Sequence, residues 1–85
     1  MIERDPEQAI VGETFIKPKV TYTYRFEGGL HDGWIYDKSL PIESEVFDDE
    51  NGYCCIKLKW TSSYSGQFDL SFGDYTKTIV VQSVF

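Results

Sequence analysis

Few side chains in this sequence could do chemistry, and their spacing restricts what that chemistry would be. His31 is the single histidine, the side chain whose ordinary pKa suits a general base near neutrality. A Ser-His-acid hydrolase needs that base held against a nucleophile. His31 instead stands beside Asp32 in the glycine-rich run Glu27-Gly28-Gly29-Leu30-His31-Asp32-Gly33, with no nucleophile-elbow pattern nearby. It reads as an exposed loop histidine, and no catalytic residue is expected.

Asp48-Asp49-Glu50-Asn51-Gly52 concentrates carboxylates, which invites two ideas. Glycoside hydrolysis would need a substrate cleft, and a domain of this size has little surface from which to build one. Calcium takes about six to eight oxygen ligands, and the alternating acidic spacing of an EF-hand loop is absent. The run therefore reads as a solvated turn. Zinc would need ligands that one His and the adjacent pair Cys54-Cys55 do not offer from a regular strand. No metal and no cofactor are expected.

Neighbouring side chains on a strand point to opposite faces, so Cys54 and Cys55 are poorly placed to bond to each other. They read as one buried thiol and one partly exposed thiol. Sugar recognition would use exposed flat rings. Tyr53, Tyr64 and Tyr75, off the buried parity or in turns, are the candidates, with His31 as a polar neighbour.

The elements that carry these residues alternate with period two. Val20, Tyr22, Tyr24 and Phe26 are apolar or aromatic, with Thr21, Thr23 and Arg25 polar between them. Trp34-Ile35-Tyr36 follows the glycine-rich loop as a short aromatic strand. Ile42, Ser44 and Val46 alternate with Glu43 and Glu45, and Pro41 at the start suits a sheet edge. In the strand from Tyr53 to Trp60, Cys54, Ile56, Leu58 and Trp60 share one face and Cys55, Lys57 and Lys59 the other.

The closing stretch pairs the alternating run Gln67 to Phe72 with the β-branched run from Tyr75 to Phe85 across Gly73-Asp74, a two-residue hairpin link. Pro6 to Val11 is the only helical candidate, and it is short. Strands every ten residues or so predict an all-β sandwich or small barrel of about six or seven strands.

The chain has 85 residues, a size at which folding buries about 60 % of the unfolded surface. Two Trp, six Tyr and six Phe supply a dense core without a disulfide framework. The expected core is Val20, Tyr22, Tyr24, Phe26, Trp34, Tyr36, Ile56, Leu58, Trp60, Phe68, Leu70, Phe72, Ile79 and Val81. A net charge of −6 with scattered Lys and Arg argues against nucleic acid as a partner. No apolar run reaches the roughly 20 residues of a spanning helix, so membrane insertion is not expected. Nor do the first residues read as a signal peptide.

Ile2-x-x-x-Pro6-x-x-x-Ile10-x-Gly12, the aromatic strand to Phe26, Trp34-Ile35-Tyr36, Ile42-x-Ser44, Ile56-x-Leu58-x-Trp60 and Ser65-Gly66-x-Phe68-x-Leu70 occur in that order. The order resembles bacterial and phage immunoglobulin-like repeat modules of the PKD-like and Big types. The ending from Ser71 to Phe85 is similar to tails of such modules. The resemblance implies an immunoglobulin-like antiparallel β-sandwich spanning residues 1–85 as one domain of a larger protein. It also implies a non-enzymatic spacer or adhesive role at a cell surface or on a virion, with neighbouring domains or another protein as partners. A carbohydrate-binding module with a glycan partner is the alternative. The chain lacks the cysteines on separate strands that flank a core Trp in antibody domains, so no inter-sheet disulfide is implied. Ile79-Val80-Val81 and Val84-Phe85 place apolar side chains on both faces of the last strand, which marks Val80 and Val84 as an expected interface.

Overall fold

The computed structural model describes residues 9–27 and 33–83. Within them eight strands form: β1 (Ile10–Val11), β2 (Phe15–Ile16), β3 (Thr21–Phe26), β4 (Trp34–Ile35), β5 (Ile42–Asp48), β6 (Cys54–Trp60), β7 (Gly66–Phe72) and β8 (Tyr75–Val81). One sheet has the order β1-β3-β6-β5 and the other β2-β8-β7-β4. All pairings are antiparallel except that of β2 with β8.

In a constant-type immunoglobulin domain, strands A, B, E and D make one sheet and C, F and G the other. Here β1, β3, β6 and β5 take the first set of places and β4, β7 and β8 the second. β2 is a continuation of the leading strand that has crossed to the opposite sheet. The molecule is thus an all-β, immunoglobulin-like sandwich. The strand count of eight exceeds the expected six or seven because β1 and β2, two residues each, are too short to show alternation.

The crossing between β1 and β2 depends on Gly12 and Tyr24. A Cβ on Gly12 would lie 2.3 Å from Cδ2 of the Tyr24 ring, so the backbone approaches that ring as only glycine allows. The Tyr24 hydroxyl donates to the Glu13 carbonyl at 2.6 Å. Beyond the crossing, Val80 N donates to Thr14 O and Gln82 N to Ile16 O. Within the segment read as a short helical candidate, the described Ala9 is helical while Ile10 and Val11 are strand; Pro6, Glu7 and Gln8 lie outside the described residues.

The closing hairpin forms as its sequence indicates. Phe72 pairs with Tyr75 across Gly73-Asp74, and Gly73 has φ 61°, a left-handed value that glycine adopts without steric penalty. Phe68, Leu70, Phe72, Ile79 and Val81 all point inward and are buried.

Between the sheets, the core joins Tyr24, Phe26, Ile56, Leu58 and Trp60 to those hairpin residues, with Tyr22, Trp34 and Tyr36 packed at its margin. Ala9, Ile10 and Ile16 also belong to it, residues that precede the first alternating strand. Val20 does not. It is 44 % exposed, because β3 begins at Thr21 and Val20 follows a turn in which Lys19 has φ 68°. The alternating pattern therefore runs one residue further than the sheet.

Val46, which was not among the expected core residues, is exposed as well. It shares the inward parity of Ile42 and Ser44 in β5 and is nevertheless 63 % exposed. β4, the edge strand of the other sheet, is only two residues long, and contact between these sheet edges is carried instead by the Tyr36 hydroxyl and Ser44 Oγ, 2.6 Å apart.

Candidate interaction surfaces

One end of the sandwich carries the β5-β6 turn and the β7-β8 turn. The Asp49 carboxylate accepts hydrogen bonds from the backbone N–H groups of Asn51 and Tyr53 at 2.9 and 3.0 Å, and Asp49 N donates to Tyr53 O. This carboxylate braces its own turn. Among the described residues no three His, Cys, Asp or Glu side chains converge as metal ligands.

Tyr53 follows that turn, with the Arg25 guanidinium 5.5 Å from its ring centroid. Arg25 also pairs with Glu27, its Nε donating to Oε2 at 2.6 Å, a bond that favours the charged guanidinium. Tyr75 lies at the same end but packs inward, 5.4 Å from the Phe26 ring. Tyr64 is 81 % exposed at the opposite end, past Trp60, whose indole N–H donates to the Tyr64 carbonyl at 2.8 Å. The seven residues of β6 separate Tyr53 from Tyr64 by roughly 20 Å. The three tyrosines do not make one platform.

Cys54 and Cys55 are both free thiols on opposite faces of β6. Burial is the main cause that pushes both thiols up, with Asp48 adding to the effect at Cys54 and Asp49 at Cys55. Both are held as thiols, the form that is neither a good nucleophile nor a metal ligand. Cys55 is 2 % exposed despite its outward parity, because Val11, Arg25 and Phe47 stand around it on the outer face.

That outer face also sets Glu43 opposite Lys59 and Glu45 opposite Lys57. Lys57 leans over the Phe47 ring, 5.2 Å from its centroid. On the outer face of the second sheet, Phe15 and Val80 are register partners. Val80 is half-buried, while Phe15 is 61 % exposed. A hydroxyl ladder continues beside them, with Thr78 Oγ1 donating to Asp69 at 2.8 Å and Ser71 and Thr76 3.0 Å apart. Ile35, 59 % exposed, lies at the far edge of this face. His31, Asp32 and Val84 lie outside the described residues.

Sequence patterning marked Val80, which is half-buried, but not the exposed Phe15, Ile35 or Val46. The residue types gave a signal, since each is a large apolar side chain within a strand segment. What was missing was the neighbouring strand that decides whether it is covered.

No protein-family model, curated protein or solved structure matches this chain.

Proposed function

We propose that this chain is a non-enzymatic immunoglobulin-like module that acts as a spacer or adhesive element within a larger cell-surface or virion protein. The observation that carries the reading is the path of the chain. Ile10 enters beside Phe26 at the end that holds the β5-β6 and β7-β8 turns. Ser83 leaves at the other end, where its N–H donates to Ser65 Oγ at 3.0 Å and its hydroxyl to the Ser63 carbonyl at 3.0 Å. Entry and exit at opposite ends suit modules strung in series.

The dispersed tyrosines give no support to a sugar platform, and the raised thiol pKa values give none to cysteine chemistry. A glycan array with tryptophan and tyrosine fluorescence as readout tests the reading. The module account expects no binding across broad sugar classes, and saturable binding that is lost on Tyr53→Ala or Tyr64→Ala would replace it with a carbohydrate-binding module. The parent sequence provides a second test, with further β-modules or an anchor domain expected beside this one.

A further inference from the structure

The free edge of β5 differs from every other sheet edge among the described residues. The remaining edge strands, β1, β2 and β4, have two residues each, whereas β5 has seven. Among the described residues, the two-residue edges leave β3, β7 and β8 without a ladder partner on one side at 21–24, 66–70 and 75–79, whereas β5 is the one edge strand that offers a full seven residues to an added strand. Among the described residues, the backbone of 43–48 hydrogen-bonds only within its ladder to β6. The side that faces away from β6 keeps its donors and acceptors. Beside that edge, Val46 is 63 % exposed on the face that the rest of the strand turns inward.

We propose that β5 is a site of β-strand addition for an extended segment that carries Lys or Arg at alternate positions and apolar residues between them. The backbone would supply the ladder, and side chains on the two faces would supply the choice of partner. On the outer face, Glu43 and Glu45 stand two residues apart and are exposed; Lys59 and Lys57 of β6 stand opposite them, yet among the described residues neither carboxylate closes an ion pair. Directly opposed unlike charges stabilise neighbouring strands, and like charges destabilise them. On the inner face, an apolar side chain of the added strand would cover Val46.

The same carboxylates disfavour a second copy of this chain as the occupant. Antiparallel pairing of two β5 strands about their centre sets Glu45 against Glu45, between molecules that each carry a net charge of −6. The acidic edge is thus protected against self-association while remaining complementary to a basic strand. This deepens the reading of the chain as an interaction module and rests on it. Failure at β5 would leave the serial-module geometry to be judged by its own tests.

The experiment titrates the full chain with a short alternating Lys-Val peptide and follows amide hydrogen exchange and NMR shifts. Two controls have the same length: an alternating Glu-Val peptide and a block peptide with the lysines and valines segregated. The expected result is saturable binding of the alternating Lys-Val peptide, with slowed exchange confined to β5. The Glu43→Lys/Glu45→Lys variant should bind roughly tenfold more weakly, as two attractions become repulsions. Both positions are exposed, and Glu43→Gln/Glu45→Gln serves as a second variant should the charge reversal alter the fold. Absence of slowed exchange on β5, equal binding of either control peptide, or full affinity in both variants would overturn the proposal.

Discussion

Phe26 on β3 and Phe72 on β7 stack across the two sheets with ring centroids 4.1 Å apart and planes 23° from parallel. The Trp34 ring meets Phe72 edge-on at 4.9 Å. In antibody domains the strands equivalent to β3 and β7 are joined by a disulfide against which a Trp on strand C packs. β4, the strand equivalent to C, carries Trp34, so an aromatic stack holds the place of that covalent bridge. Phe72→Ala removes a fully buried ring and is expected to cost about 3–5 kcal/mol. Denaturant unfolding would measure it, and a loss below about 1 kcal/mol would show that the stack is not the inter-sheet clamp.

At the other end, Trp60 stacks on Phe68 at 5.9 Å with planes 8° apart, and Gly66 lies against the indole. Trp60→Ala is expected to cost about 3–5 kcal/mol. Gly66→Ala places a Cβ 2.8 Å from Trp60 Cζ2, and is expected to cost about 1–3 kcal/mol through overpacking. Thermal melting of both variants is the check. A Gly66→Ala chain as stable as its parent would contradict the close approach.

Tyr24 makes stability depend on alkaline pH. Burial, reinforced by the nearby Glu13 and Tyr22, raises its phenol well above the ordinary value. Above about pH 10 the unfolded chain releases this proton while the folded chain keeps it. The unfolded state then binds fewer protons, so stability falls as pH rises, by at most about 1.4 kcal/mol per pH unit from this group. The two cysteines act in the same direction from a lower pH and are common to parent and variant. Tyr24→Phe is expected to cost about 1 kcal/mol at neutral pH, through the lost bond to Glu13. In exchange, its stability should decline less between about pH 9 and pH 11. Parallel alkaline decline in the two chains would refute the assignment.

Lys77 points inward on β8, is 5 % exposed and donates to Thr14 Oγ1 at 3.1 Å. A buried ammonium needs its hydrogen-bond partner, and an apolar replacement of similar size removes the need. Thr14→Val alone should destabilise by about 1–3 kcal/mol, and the same substitution made on a Lys77→Met background should cost little. A double-mutant cycle reads the coupling directly, and additive effects would show that the contact contributes nothing.

How much was legible in the sequence differs between strands. β3, β6 and β7 have six or seven residues each and apolar residues at every second position, so inward residues such as Tyr24, Leu58 and Phe72 follow from the pattern; β8 breaks it, with Lys77 inward and the apolar Val80 outward. β1 and β2 carry no pattern and exist because Gly12 lets the chain cross beneath Tyr24, a long-range packing relation. Val20 and Val46 fit the alternation and are exposed, since periodicity assigns a face but not its cover. The acidic turn was legible as a turn, although the bracing role of Asp49 depends on how the turn closes. The tyrosines were visible as residue types, whereas their distribution over the two ends depends on topology.

The proposal that most needs measurement is serial linkage, with entry beside Phe26 and exit beside Ser65. Small-angle scattering of two copies joined in series, each 44 Å in its longest extent, reads it directly. An extended particle roughly twice as long as one module is the predicted result, and a compact particle with the two sandwiches side by side would contradict it.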